Sequence, residues 1–217
     1  MAAAKHDRRS FVNSQTNNME LAERLKLIES MMAEGRQRIE SWGWSFVLWG
    51  VAYLVATAWS SGLVGGPAWS RHFLAWPVTM IAASIATSVT ISRMQKGEPA
   101  TLMGRALGAT WAAMGISLFI VLMSLVLSGR YDTHVFVAVI GGMLGVANMA
   151  SAIILKWKMQ FACAVVWLAS AVAACFGTEN QAGIAFLAAT FFCQIVFGIY
   201  AMVHESRRRR QNGVIHA

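Results

Sequence analysis

Seven uncharged polar residues fall near the middle of long apolar segments, where a hydrogen-bonding side chain is costly to bury alone. They are Ser84, Thr87, Ser88, Ser117, Asn148, Ser151 and Gln194. Such hydroxyl and amide groups can line a site for a small neutral solute or a lipid headgroup, or they can bond only between helices. We interpret them as interhelical bonds, with Asn148 and Gln194 bonding across the bundle, and keep the binding site as the alternative.

A second set of residues at the segment ends has the chemistry to bind a metal ion, move a proton or ligate haem. It comprises His72, Asp132, His134, Glu179 and Asn180. We interpret these as solvated residues at loop edges. The chain contains no His-Glu-x-x-His, Gly-x-Ser-x-Gly, Cys-x-x-Cys or Walker sequence. We therefore predict no enzymatic activity, no metal site and no cofactor.

Charged groups are missing from the middle of every apolar segment. Proton- and ion-coupled carriers usually need titratable or charged groups at that depth. This argues against a pump, an antiporter of familiar design or a voltage sensor. The lack of charged groups is compatible with a passive path lined by hydroxyl and amide groups.

The three cysteines are predicted to be packing residues. Cys163 and Cys175 are twelve positions apart in one segment, which is roughly 18 Å along a helix axis. Cys193 falls near mid-depth in the next segment. We expect no two of them to share a level in the membrane, so no internal disulfide is expected.

Six apolar segments free of Asp, Glu, Lys and Arg must position all of these residues: 44–64, 73–92, 106–128, 133–155, 159–177 and 182–203. The chain is 57% hydrophobic and 13% charged, whereas a soluble domain is about one-quarter charged. Roughly 20 helical residues cross the hydrocarbon core, and helices satisfy their own backbone there. The sequence therefore predicts an all-α polytopic membrane protein with six transmembrane helices in three antiparallel hairpins.

Basic residues lie almost entirely on one side of this arrangement. Sixteen of the 18 Lys and Arg residues fall in one set of connecting segments, and only Arg71 and Arg130 fall in the other. Basic residues near helix ends stay cytoplasmic. We predict that both termini are cytoplasmic and that the protein is integral to a plasma or inner membrane.

The net charge of +8 follows from the same asymmetry. We predict contact between the inner face and anionic lipid headgroups, with Arg207, Arg208, Arg209 and Arg210 anchoring the last segment. No aromatic and basic platform of the kind that binds single strands is present, so we expect no nucleic-acid partner.

The chain divides into a disordered tail (1–16), a cytoplasmic amphipathic helix (17–41), the bundle (42–204) and a basic cytoplasmic tail (205–217). Apolar positions of the amphipathic helix follow heptad spacing: Leu21, Leu25, Ile28, Met32, Gly35 and Ile39. We interpret it as a helix lying on the membrane face or under the bundle. The alternative is a coiled coil that sets an oligomer.

Gly141 and Gly145 form a small-xxx-small pair that predicts close helix packing. Gly141 and Gly142 are also the one candidate for an unwound segment within a span, although packing is the preferred interpretation. The sequence as a whole predicts a non-enzymatic membrane subunit with an assembly, sensing or regulatory role. A passive channel or facilitator for a small solute is the alternative. Expected partners are membrane lipids, and either a second copy or another membrane protein.

Overall fold

The computed structural model describes residues 20–33, 35, 42–94, 102–130 and 132–215, and all regular structure in these ranges is helical. The predicted tail 1–16 and Ile39 of the heptad seam lie outside the described residues. The helices, in chain order, are α1 (20–33), α2 (Gly43–Ser60), α3 (Ala68–Phe73), α4 (Ala75–Met94), α5 (Leu102–Leu127), α6 (Thr133–Leu155), α7 (Lys158–Phe176), α8 (Glu179–Thr190), a π-helical segment (Phe191–Val196) and α9 (Phe197–Ile215).

Five helices of the described part are long and apolar enough to cross a membrane, which confirms an all-α, multi-pass membrane protein. They cover Ala75–Arg93, Gly104–Leu127, Thr133–Leu155, Lys158–Phe176 and Glu179–Arg207. The first predicted span, 44–64, corresponds to α2, which is rich in Trp and Ser and is not among the five.

Local chemistry explains where the best-defined helices begin and end. The Asp132 carboxylate accepts a hydrogen bond from the His134 backbone N–H and caps α6. Lys156 ends that helix in the left-handed conformation, with φ of 49°. The Thr178 and Gln181 side chains form a reciprocal capping box at the start of α8.

The loop between α2 and α4 contains a short helix, α3, that the apolar pattern did not predict. Gly62, Gly65 and Gly66 adopt positive φ and end α2 before the predicted boundary at residue 64. Pro67 then precedes α3, and its carbonyl accepts a hydrogen bond from the Ser70 hydroxyl at 2.8 Å.

Glycines allow close backbone approach at two helix interfaces. A Cβ added at Gly141 would lie 2.9 Å from the Trp167 carbonyl oxygen, and one at Gly145 would lie 2.7 Å from the Leu168 side chain. These contacts join α6 to α7. Between α2 and α9, a Cβ at Gly198 would lie 2.8 Å from the backbone oxygen of Gly43. At Gly141 and Gly198 the close neighbour is backbone, so a side chain there would force the helices apart, whereas at Gly145 the Leu168 side chain would have to move.

Burial is very uneven among the helices. Half of the apolar window of α6 is buried, whereas 11% is buried in both α4 and α5. The largest fully buried side chains, which include Trp167 and Phe197, belong to α6, α7, α8 and α9. The core therefore lies among these helices and α2, while α4 and α5 lie at its edge. On α1, Leu21, Leu25 and Ile28 of the heptad seam are exposed.

The irregular segment lies elsewhere than at the sequence-based candidate. Gly141 and Gly142 are in continuous α-helix, whereas Phe191–Val196 forms the π segment. The π turn inserts an extra residue, so the register of a regular helix does not carry through it.

Candidate functional site

A groove of about 660 Å³ lies between the two peripheral helices, α4 and α5, which themselves pack on α2 and α6. Side chains of α2, α4 and α5 form its walls, and residues of α6 and the π segment complete it. Its volume falls in the range of small-molecule sites, roughly 300–1,000 Å³. Most lining residues are apolar or aromatic, and none of those described carries a formal charge.

Aromatic side chains are concentrated at two levels of the groove. At one level, Phe46 contacts Trp111 edge-to-face with ring centroids 5.6 Å apart. At the other level, Tyr53 lies 6.2 Å from Trp76, whose ring contacts Phe136 at 4.4 Å. All five of these residues line the groove.

Gln194 lies between the two aromatic levels. It belongs to the π segment, lines the groove and is only 3% exposed. Gly50 makes room for it, because a Cβ added there would lie 2.8 Å from Gln194 Cβ. Gly50 itself falls between Phe46 and Tyr53 at spacings of four and three, which places all three on one face of α2. Within the described residues, Gln194 Oε1 has no hydrogen-bond partner.

Three of the predicted polar residues on α4 also line the groove: Ser84, Thr87 and Ser88. The Ser84 hydroxyl donates to the Met80 carbonyl and the Thr87 hydroxyl to the Ala83 carbonyl, each at 2.8 Å. Their protons are therefore used within α4. Ser117 is exposed on α5 and does not line the groove.

Asn148 and Ser151 are buried on α6, away from the groove lining. Asn148 Nδ2 donates to the Leu144 carbonyl at 2.8 Å. Ser151 Oγ donates to the Ala147 carbonyl and accepts from Trp111 Nε1 at 3.1 Å, which links α5 to α6. The expected bond between Asn148 and Gln194 is not among the hydrogen bonds of the described residues, so that expectation is wrong.

The polar residues at the other segment ends tie helices together. Thr133 Oγ1 donates to Glu179 Oε1 at 2.8 Å, and His134 Nδ1 lies 2.7 Å from the Ala174 carbonyl oxygen. These bonds join the ends of α6, α7 and α8. Within the described residues, no group of three or more His, Cys, Asp and Glu side chains is placed to hold a metal ion.

The expectation that no two cysteines share a level is wrong. Cys193 Sγ lies 3.6 Å from the Cys163 carbonyl oxygen, and both residues are buried. Sequence spacing fixes depth only within one helix, whereas the relative shift of α7 and the π segment is set by their packing. All three thiols are free.

Two features of interest were missed in the sequence. Gln160 is fully buried with both amide atoms unpartnered among the described residues, and so is the Trp76 indole Nε1. Gln160 is the third residue of α7, beside the start of the predicted span 159–177, and was not among the candidate polar residues. Residue type alone does not distinguish the buried Trp76 indole from the hydrated indoles that Trp supplies at membrane interfaces.

No protein-family model, curated protein or solved structure matches the chain. Function must therefore be argued from the groove and the packing. Chemically, the groove offers a largely apolar surface with aromatic faces, and the Gln194 Oε1 atom is buried out of reach of its open space.

Proposed function

We propose that this protein is a non-enzymatic membrane subunit with an assembly, sensing or regulatory role. The observation that carries the proposal is the uneven packing of the bundle. Only 11% of the apolar window is buried in α4 and in α5, against half in α6. Two spans thus present most of their surface to the surrounding membrane, where another helix or a lipid can bind.

The lining of the groove supports this role over permeation. Hydrated solutes need a path whose polar groups replace their water. Here the Ser84 and Thr87 protons are used by the backbone of α4, and most of the remaining surface is apolar.

A passive facilitator for a small solute is the second candidate, favoured by one specific observation. Ser84, Thr87, Ser88 and Gln194, four of the seven predicted polar residues, do line a common groove. The hydroxyl oxygen atoms of Ser84, Thr87 and Ser88 would be the contacts for a neutral solute.

We further propose that α2 is a sixth span and that both termini are cytoplasmic. Its 18 residues extend about 27 Å, close to the thickness of the hydrocarbon core. It contacts α4, α9 and the π segment. Six spans in antiparallel hairpins would also place sixteen of the 18 basic residues inside.

The two candidates are separated by stopped-flow flux into liposomes that contain the purified protein. For a subunit we expect rates equal to empty liposomes for water, small neutral solutes and monovalent ions. In parallel, the native mass of the protein is measured after extraction in membrane nanodiscs. We expect the mass of a homo-oligomer of fixed size, or of a complex with a second polypeptide at a fixed ratio.

Flux above empty liposomes that falls in Gln194→Leu would establish the facilitator instead. A monomeric mass in nanodiscs would contradict the assembly role. Gln160→Leu is the matched control, since it removes a buried amide that does not line the groove.

A further inference from the structure

Two arginines lie at one end of the groove, one on α4 and one on α5. Arg93 follows the lining residue Ile91 of α4 by two positions. Arg105 precedes the lining residue Gly108 of α5 by three positions, which is almost one helical turn. Both arginines are exposed, and neither forms an ion pair within the described residues. We call this the arginine end of the groove.

The arginine end contrasts with the rest of the groove, whose lining includes no Asp, Glu, Lys, Arg or His among the described residues. From Gly108 to Val126 the groove follows α5 for about 27 Å, close to the thickness of the hydrocarbon core. The groove is therefore a long apolar surface with positive charge at one end only. An amphiphile with an anionic headgroup and apolar chains has the complementary distribution.

The apolar surface near the arginine end is not covered by the described part of the protein. Helix α4 packs on α2, whereas α5 packs on α6. Between them, Ile85 and Ile116 line the groove and are 59% and 62% exposed. A Cβ added at Gly115, about 10 Å along α5 from Gly108, would have no neighbour within 4 Å. One leaflet contributes roughly 15 Å of hydrocarbon, so the acyl chains of a single lipid reach this surface.

A hydroxyl group lies between the arginine end and this surface. Ser88 lines the groove five positions before Arg93, which is about 7.5 Å along α4. Unlike the hydroxyls of Ser84 and Thr87, that of Ser88 forms no hydrogen bond among the described residues. In a phospholipid the ester carbonyl groups lie just below the phosphate, at the edge of the hydrocarbon. Ser88 is therefore placed to donate to an ester carbonyl of a lipid whose phosphate is at the arginine end.

Charge favours a lipid over a further helix in the groove. In the proposed orientation the arginine end is cytoplasmic, and the cytoplasmic ends of transmembrane helices are generally rich in Lys and Arg. A second copy would bring basic residues such as Lys156 and Lys158 to that end. Arg93 and Arg105 would repel them, whereas they attract a phosphate group.

We propose that the groove between α4 and α5 binds one anionic phospholipid, whose phosphate contacts Arg93 and Arg105 and whose acyl chains lie along the apolar walls. The assignment to the inner leaflet rests on the proposed orientation, whereas the match between the arginines and an anionic headgroup does not. The site goes beyond the assembly role, because a subunit can associate with partners whether or not it holds a specific lipid.

The test measures lipid binding to the purified full chain by native mass spectrometry in detergent micelles, where both ends of the groove are accessible. Dioleoylphosphatidylglycerol is compared with dioleoylphosphatidylcholine, because the two lipids share their acyl chains and differ in headgroup charge. We expect the first phosphatidylglycerol to bind about tenfold more tightly than the first phosphatidylcholine, as attraction by two basic residues implies.

Two double variants test the role of the arginines. Arg93→Gln combined with Arg105→Gln should remove most of the preference for phosphatidylglycerol. Lys156→Gln combined with Lys158→Gln removes the same charge from exposed positions at the same end of the bundle and should retain the preference. All four positions are exposed, so neither double variant disturbs the core.

Further variants test the groove itself. Gly115→Leu should weaken the binding of both lipids, because Gly115 lines the groove and has open space around an added Cβ. Gly142→Leu, at a position with similar space outside the lining, should leave both unchanged. Ser88→Ala should weaken both lipids about two- to threefold, since both carry ester carbonyl groups. Glycerol 3-phosphate at the same concentration should not compete, because it has no acyl chains.

Equal binding of the two lipids would overturn the proposal. So would a preference that survives the double arginine substitution, or one that falls equally in the double lysine variant, because the headgroup would then respond only to the total charge of that face. Competition by glycerol 3-phosphate as strong as that by the phospholipid would refute the role of the groove. Folded protein that binds neither lipid but retains a second polypeptide at a fixed ratio would also refute the proposal and would show that a helix fills the groove. None of the lipid preferences decides the flux or the native mass, so the assembly role stands or falls separately.

Discussion

At the scale of residues, polar groups in this bundle bond mainly within their own helix. Ser84, Thr87, Asn148 and Ser151 all donate to a carbonyl four residues earlier. Such bonds satisfy a buried group without fixing the position of any other helix. Residue type and spacing therefore identified polar residues in the spans without indicating which of them meet.

The Trp111 to Ser151 bond is an exception, because it joins α5 to α6. We expect Ser151→Ala to lower the free energy of unfolding by about 0.6–1.7 kcal/mol, since the indole N–H loses its acceptor. Unfolding in mixed micelles with tryptophan fluorescence measures this change. Ser124→Ala is the control, because the Ser124 hydroxyl is exposed and donates to Ile120 of its own helix. Equal effects of the two substitutions would contradict the interhelical role.

At the scale of elements, the π segment determines what the last span presents to the groove. Upstream, Phe186, Ala189 and Cys193 are buried at steps of three and four. Downstream, Phe197 and Ala201 continue in steps of four. Consecutive steps of four exceed the 3.6-residue period and accommodate the extra residue of a π turn.

Deleting one residue from the π segment should therefore be tolerated. Removal of Phe192, which is exposed, lets the segment become regular helix while the flanking faces keep their partners. We expect the midpoint of thermal unfolding to fall by only a few degrees. Ile184 is an exposed residue in regular α8. Its deletion rotates the residues before it by about 100° about the helix axis relative to those after it, and this should prevent folding.

Both deletion variants are compared by size-exclusion chromatography and circular dichroism in detergent. Similar loss of folded protein in the two would show that the π segment is not an insertion in an otherwise regular helix.

At the scale of the whole molecule, the helices of the core are tightly packed, whereas α4 and α5 pack loosely against them. Glycine contacts bring α6 against α7 and α2 against α9, whereas α4 and α5 lie at the edge of the groove. An opening between peripheral spans gives a membrane-embedded ligand or partner access without crossing an aqueous interface. This arrangement suits a sensor or subunit better than a water-filled path.

The orientation of the whole chain is tested by cysteine labelling with a membrane-impermeant maleimide, after the three native cysteines are replaced by alanine. If α2 crosses the membrane, Leu63→Cys reacts in intact cells and Ala33→Cys reacts only after permeabilisation. With both termini cytoplasmic as proposed, Ser128→Cys would react from outside and Lys158→Cys only after permeabilisation. Reaction of both Ala33→Cys and Leu63→Cys from outside would show that α2 does not span.

The sequence by itself determined the all-α membrane class and the positions of five spans. The 133–155 segment coincides with α6, because a charge-free run of that length pairs all of its backbone hydrogen-bonding groups in lipid by forming a continuous α-helix. Helix ends differ by several residues where positive-φ glycines end α2 before residue 64. Hydropathy does not encode these local conformations.

Only the tertiary structure decided which polar groups meet and where the candidate site lies. Hydropathy gives only the approximate depth of each helix, and it leaves the helix's rotation and exact axial position undetermined; packing fixes both. Cys163 and Cys193 consequently come together, while Asn148 and Gln194 do not bond. Gln194, which lines the groove, lies in the π segment, and a regular 3.6-residue pattern does not predict the change of register there.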